Sequence, residues 1–263
     1  MRRGWMWGCL IGLAGTAPVA AEQPLRICVS DHAYPPLTFP DRDGQAQYLI
    51  RRAAGKAGWQ VEFVVLPWRR CLKAVTLGDL DGVATVADTP DNRSRLAMPL
   101  RRGRANTARS IGEVVSVVIR RRSSRVEWDG VSFRGLHTPV IHEAGISAFS
   151  AHLAELGQAG LDNQFPRTAD AHAADGPRRG CAGAGATGQR TVASATVRGL
   201  ERLPQQFMRS NTYLAFNKAL YAEQRARRDR VWQAIERIGR SPQWPRLAQQ
   251  IYPGDAAPRY GGR

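Results

Sequence analysis

The run PWRRCLKAVTLGDLDGVATVADTPDNR, residues 67–93, decides how this chain folds. Within it Leu72 and Val75 recur at helical spacing between Trp68 and Leu77, and Gly78 supplies a stop that tolerates positive φ. Asp79-Leu80-Asp81-Gly82 turns the chain into Val83 to Ala87, an apolar run of strand length. Asp88-Thr89-Pro90-Asp91 closes that run with oxygen side chains placed to cap the next segment. Such a strand delivers residues 88–93 to the carboxyl edge of a sheet, the edge where ligands bind in open α/β folds. A plain helix-turn-strand unit without a site fits the same letters.

Outward from this run, residues 25–29 read as a strand, Asp31-His32-Ala33-Tyr34-Pro35-Pro36 as a rigid loop, and residues 48–58 as a helix. Val61–Leu66 is a second strand feeding Pro67. The order strand-helix-strand-helix-strand predicts a parallel sheet with helices packed on it.

LRICVSDHAYPPLTF, GWQVEFVVLPWRRCLKAV and GDLDGVATVADTPDNR together resemble the first lobe of extracytoplasmic solute-binding proteins of the amino-acid-binding type, bacterial family 3. The resemblance spans residues 25–100 and resumes over 199–252, where LERLPQQF and YLAFNKALY look like that family's return to the first lobe. It implies a two-lobed α/β fold of the type II periplasmic binding protein kind. Each lobe is then a mostly parallel sheet flanked by helices, and two crossing strands form the hinge. Residues 22–113 would build the first part of lobe 1, residues 114–212 lobe 2, and residues 213–263 the return and the C-terminal helices.

The function implied is capture of a small polar or amino-acid-like solute between the lobes and its delivery to an ABC-type membrane transporter permease. The resemblance implies a monomer without a cofactor. It also implies that Tyr34 stacks on the ligand, Trp68 forms an apolar wall, and Thr89 and Arg93 hold a carboxylate. A planar guanidinium matches a carboxylate bidentately. Two departures qualify the likeness. The family's Thr-Pro-acid-Arg is one residue longer here, Thr89-Pro90-Asp91-Asn92-Arg93, which makes Arg95 a competitor. The acid expected early in the first helix is absent from Gln47-Tyr48-Leu49-Ile50-Arg51-Arg52.

The ends and the composition bound the rest. Arg2 and Arg3 precede an apolar run over residues 5–17, and Val19-Ala20-Ala21 forms a small-residue cleavage signature before Glu22. Residues 1–21 thus read as a cleaved secretory signal peptide, and the expected compartment is periplasmic. The formal charge of +16 raises the question of a nucleic-acid partner. The basic residues are nearly all Arg and spread along the whole chain, as translation of a GC-rich gene produces, so no nucleic acid is expected. Hydrophobic content of 43% excludes wholesale disorder. Cys28, Cys71 and Cys181 remain after cleavage. Cys28 on the first strand and Cys71 on the helix after the second strand could pair in an oxidising compartment or remain two buried thiols. No Cys or His spacing matches a metal-ligand set.

Beyond the first lobe, IGEVVSVVI (residues 111–119) reads as a crossing strand, and a second crossing falls over residues 211–216. Residues 139–142 lead through Glu143-Ala144-Gly145 to Ser147 and a helix carrying Phe149 and Leu153. This unit resembles the family's anion-holding turn, with Gly145 and Ser147 as candidates, although a capped strand-to-helix turn explains the same letters. Residues 168–198 then lack Leu, Ile, Phe, Tyr, Trp and Met, and offer neither a strand of useful length nor a helical stripe. The family has a core strand here, ending in an acid that can hold a ligand amino group. The break fits an insertion or a local shift of reading frame, the latter being favoured by the abrupt return at Gly199. Near the C-terminus, a helix from Asn217 has Val231, Ile235 and Ile238 on one face and Arg225, Arg227 and Arg228 on the other. An enzyme on the same fold, of dehydratase or peptidoglycan-cleaving type, is the alternative. His32, His137, His142 and Glu143 form no recognisable set for such chemistry. A binding protein with a non-functional second lobe is a further alternative.

Overall fold

The computed structural model describes residues 23–163, 181–183 and 199–253. The signal-peptide reading, and all of residues 168–198 except 181–183, lie outside the described residues. In chain order the elements are β1 (Leu25–Ser30), α1 (Gln45–Lys56), β2 (Val61–Leu66), α2 (Trp68–Leu77), β3 (Gly82–Ala87), α3 (Pro90–Arg95) and β4 (Leu96–Ala97). A hairpin of β5 (Leu100–Arg101) and β6 (Arg104–Ala105) leads to β7 (Gly112–Arg121), and a second hairpin joins β8 (Glu127–Trp128) to β9 (Phe133–Arg134). Next come β10 (Val140–Glu143), α4 (Ser147–Glu155), β11 (Gly160–Asn163), β12 (Cys181–Gly183) and β13 (Leu200–Asn217). The chain ends in α5 (Lys218–Glu223), α6 (Arg225–Gly239) and α7 (Trp244–Ile251).

The main sheet runs β11-β10-β12-β7-β13-β3-β1-β2, with β4 also on β13. β1 lies between β2 and β3 and is parallel to both. The alternation of a strand sends its neighbours to opposite faces. Ile27 and Val29 join the core built from α1, α6 and α7, whereas Cys28 joins the core under α2. The first lobe is therefore packed on both sides. Leu49, Ile50, Trp232, Ile235 and Trp244 fill one face, and Leu72, Val75, Val86 and Tyr213 the other. A disulfide joins Cys28 to Cys71, with Cα atoms 5.5 Å apart, and fastens α2 to β1.

β13 carries the chain from one lobe to the other. Its first part pairs antiparallel with β7, from Leu200 opposite Arg121 to Thr212 opposite Gly112. Its last part pairs antiparallel with β3, from Thr212 opposite Ala87 to Phe216 opposite Gly82. Thr212 thus belongs to both ladders. Around it the Ser110 hydroxyl donates to the carbonyls of Gly112 (2.8 Å) and Thr212 (3.1 Å), and Ile111 N–H donates to the Thr212 carbonyl (2.9 Å).

Among the described residues of the second lobe, Val118, Val140, Phe149, Leu153, Leu203 and Phe207 form a core with Trp128. The Trp128 indole N–H donates to the Gln206 carbonyl at 3.0 Å and ties the β8–β9 hairpin to β13.

Three readings need correction. Residues 181–183 are a strand, pairing antiparallel with β7 and parallel with β10, so the composition break does contain a sheet element. Short side chains carry no hydrophobic pattern, yet backbone pairing does not require one. The helix from Asn217 is two helices divided at Gln224. Arg228 lies inside rather than on the solvent side: it is 2% exposed, and its guanidinium meets the Asp81 carboxylate at 2.6 Å and the Leu220 carbonyl. A buried guanidinium needs such partners. Asp81 also accepts from Arg26 N–H at 3.0 Å, so the turn before β3, the start of β1 and α6 share one carboxylate.

Candidate functional site

The connection after β1 goes through α1 to β2 on one side, and the connection after β2 returns through α2 to β3 on the other. The loops after β1 and β3 therefore diverge at a topological switch point, where a crevice opens beyond the carboxyl ends of the strands.

Three local devices aim side chains into this region. The loop after β1 is folded on itself, with Tyr34 N–H on the Thr38 carbonyl at 2.8 Å and Leu37 N–H on the Tyr34 carbonyl at 2.7 Å. It is clamped by the buried Gln47, whose side-chain oxygen accepts from Phe39 N–H and Gly44 N–H, both at 2.9 Å. Gln47 thus holds the loop to the start of α1 without a charge. The second device is Pro67, which opens α2 and puts Trp68 in its first turn. The third is Thr89, the N-cap of α3, whose hydroxyl accepts from Asn92 N–H at 3.1 Å.

Each device meets the turn after β10. The Tyr34 hydroxyl donates to Glu143 Oε2 in a short hydrogen bond. Trp68 Nε1–H donates to the Gly145 carbonyl at 3.1 Å. Thr89 Oγ1 and Ser147 Oγ are 2.9 Å apart. Gly145 sits at φ +82°, and a Cβ there would stand 3.0 Å from Arg69 Cγ and 3.3 Å from Trp68 Cδ1. Only glycine fits so close an approach in that backbone region. The structure thus brings Tyr34, Trp68, Thr89, Gly145 and Ser147 to one boundary between the lobes.

Arg93 is placed differently. Its guanidinium donates to the Gly103 carbonyl at 2.9 Å and faces Asp88 Oδ1 at 3.5 Å, against the β5–β6 hairpin. Arg95, paired with Asp91 one helical turn back, lines a crevice of about 530 Å³. Arg69 and Lys73 contribute to the crevice from α2, and Gly145, Ser147 and Ser150 from the second lobe. The side chain that reaches this inter-lobe space is the one the longer loop made a competitor.

The electrostatics bring Glu143 forward as a part of the lobe boundary. Glu143 ends β10 and faces the first lobe, where His32 and Asp31 act on it beside Tyr34. Burial pushes its carboxyl above the usual carboxylate range, while the Tyr34 hydrogen bond and His32 pull it partly back. Burial also raises the Tyr34 hydroxyl well above its ordinary value, and the Glu143 charge adds to that. His32 Nδ1 lies 2.8 Å from Asp31 Oδ1. Of His32, His137, His142 and Glu143, only His32 acts on the Glu143 carboxyl, as part of an electrostatic cluster with Asp31 and Tyr34. Only the 109-residue separation hides it. His142 points elsewhere, buried between β10 and α4 with Nε2 3.3 Å from Ser150 Oγ. Nearby, Tyr213 is pushed up to about 12, first by burial and then by Asp88.

Among the described residues no group of three His, Cys, Asp or Glu side chains could hold a metal ion. Among them, too, no helix is long and apolar enough to cross a membrane.

No family model matches the sequence, and no curated protein does. Solved structures do match. The GluR0 ligand-binding core from Nostoc punctiforme, in complex with L-glutamate, is 13% identical with a TM-score of 0.60. The match covers 88% of this chain and 100% of that one. The arginine-, lysine-, histidine-binding protein ArtJ from Geobacillus stearothermophilus is 13% identical with a TM-score of 0.63, over 89% of this chain and 97% of its own. A histidine kinase sensor domain with similarity to periplasmic binding proteins is 18% identical with a TM-score of 0.62, over 88% and 96%. This likeness shows the fold, the two-lobed α/β architecture of type II periplasmic binding proteins.

Proposed function

We propose that this chain is a periplasmic solute-binding protein, exported through a leader at residues 1–21. It captures a small polar or amino-acid-like solute between its lobes and hands it to an ABC-type membrane permease. The observation that carries this reading is the row of three contacts joining first-lobe side chains to one turn of the second lobe: Tyr34 to Glu143, Trp68 to Gly145, and Thr89 to Ser147. A solute lodged there touches both lobes, so its binding energy favours the closed arrangement. We place the hinge near residues 113 and 212, where β13 passes from β7 to β3 at Thr212. Tyr34 and Trp68 supply aromatic walls, Thr89, Gly145 and Ser147 polar contacts, and Arg95, in preference to Arg93, the cation for an anionic end. The protein works as a monomer and needs no cofactor. The known binding functions of the structural neighbours, amino-acid-binding proteins among them, support this reading.

A thermal-shift panel of amino acids, amines, sugars and dicarboxylates, with responders checked for chemical change, tests it. Stabilisation by a solute recovered intact is expected. Turnover of the solute would instead favour an enzyme, the second reading that the cluster of Asp31, His32, Tyr34 and Glu143 keeps open.

A further inference from the structure

The first lobe carries a second crevice, of about 660 Å³, on the α1, α6 and α7 side of its sheet. It shares no residue with the lobe boundary. Three cations line it: Arg52 and Lys56 from the second half of α1, and Arg237 from the last turn of α6. All three are exposed, and among the described residues none has a carboxylate within ion-pair distance. Other arginines of these helices are answered, Arg51 by Asp43, Arg228 by Asp81 and Arg240 by Glu236. Neither α1 nor α7 contains an Asp or Glu. The wall between the cations is apolar: Ile238 and Leu247 are half-buried in it, and Trp244, 1% exposed, backs it. Translation of a GC-rich gene accounts for many arginines, but not for cations gathered without acids around one apolar crevice. Attraction to helix C-termini accounts for Lys56 and Arg237. It does not account for Arg52, one turn further in, with its guanidinium carbon 5.8 Å from the centre of the Tyr48 ring.

We infer that this crevice is a docking surface for an anionic phospholipid bilayer, with headgroup phosphates against Arg52, Lys56 and Arg237 and the glycerol and upper acyl carbons against Ile238 and Leu247. Like charges gathered on one face repel one another and gain when an anionic surface is brought to them. Long cationic side chains lay their stems along apolar surface while their heads stay at a charged, wet layer. Cations rimming half-buried aliphatic side chains suit a headgroup layer on both counts, whereas a purely acidic partner answers the charges alone. The inference goes beyond the solute-binding reading and does not depend on it. The two are compatible, since α1, α6 and α7 cover the face of the sheet opposite α2, and the contacts of Tyr34, Trp68 and Thr89 with the second lobe involve none of the crevice residues.

The test is co-sedimentation of the mature chain, which lacks the apolar residues 5–17, with vesicles of phosphatidylcholine alone or of phosphatidylcholine and phosphatidylglycerol mixed two to one. Binding is expected to the anionic vesicles only, and it should weaken as salt is raised, because exposed charges are screened. Each cation removed from an anionic surface should weaken binding about fivefold. The triple variant Arg52→Gln, Lys56→Gln, Arg237→Gln should therefore lose about a hundredfold in affinity for these vesicles, with its unfolding temperature unchanged. A second triple variant, Arg101→Gln, Arg102→Gln, Arg104→Gln, removes the same charge from exposed positions of the β5–β6 hairpin. It should keep most of the wild-type affinity. Equal losses in the two triple variants would make the binding a matter of net charge and overturn the inference. Calorimetric titrations with glycerol phosphate and with a glutamate-rich peptide separate the sources of the anion. Capture of either one without binding to the anionic vesicles would assign the crevice to a soluble phosphate ester or to an acidic protein, and overturn docking on a bilayer. Equal binding to the two kinds of vesicle, or none to the anionic ones at low salt, overturns it as well. None of these outcomes bears on the solute panel, so the two readings stand or fall separately.

Discussion

The two lobes meet the same boundary with unequal means. The first lobe packs helices on both faces of its sheet, closes a disulfide between strand and helix, and buries a guanidinium on Asp81. The second presents Glu143, Gly145 and Ser147 from a four-residue strand, a nine-residue helix and the turn between them, over an aromatic core of which Trp128, Phe149 and Phe207 are among the described members. The difference teaches a division of labour. The first lobe fixes Tyr34, Trp68 and Thr89 from loops and helix starts on a sheet packed on both faces, and among the described residues the second lobe answers them from β10, α4 and the turn between.

That comparison breaks first at the cores. Phe207→Ala, at a site 3% exposed, should cost about 3–5 kcal/mol, and Leu49→Ala in the first lobe about 2–5 kcal/mol. Urea unfolding measures both. Despite similar costs, Phe207→Ala should weaken solute binding strongly, because it loosens the only described core under the Glu143–Ser147 turn, whereas Leu49→Ala should leave affinity nearly intact under folding conditions. Equal losses of affinity would mean the lobes do not divide the work this way.

Next comes the disulfide, which closes a loop of sequence separation 43. Replacing both cysteines, Cys28→Ser with Cys71→Ser, should cost about 2–4 kcal/mol. Thermal unfolding checks this, and a residual affinity close to wild type is expected once the variant is folded. A smaller effect is expected from the arginines. Arg95→Ala should weaken binding of a solute with an anionic end about tenfold, within the range of a charge-assisted hydrogen bond, and Arg93→Ala much less, since Arg93 is engaged with Gly103 and Asp88. The reverse order would return the anion to Arg93.

Whether a feature is legible in the sequence depends on where its signal resides. Val61–Leu66 and Trp68–Leu77 were legible to the residue, because a β-branched run and a Gly78 stop are local signals. The approach of Glu143 to Tyr34 was not, since no periodicity links residues 109 apart in sequence. Arg228 misled because an arginine beside two others on a helix resembles a solvated face. Its burial depends on Asp81 lying across the fold. The clamp by Gln47 was not legible, because Phe39 and Gly44, its partners, are loop backbone without a pattern of their own. Residues 181–183 were missed because a strand held by its neighbours' backbones needs no apolar side chains to declare it.

The central claim, that solute enters between the lobes, has a direct test. Thr89 Oγ1 and Ser147 Oγ are 2.9 Å apart across the boundary, near enough for two sulfurs in their place to bond after modest adjustment. In the double variant Thr89→Cys with Ser147→Cys, oxidation before solute is added should lock the lobes together. Calorimetric titration, with oxidised wild type and the two single variants as controls, should then find binding abolished or its onset greatly slowed, and restored by mild reduction. Unimpaired binding to the oxidised double variant, with the cross-link confirmed by mass, would contradict the account.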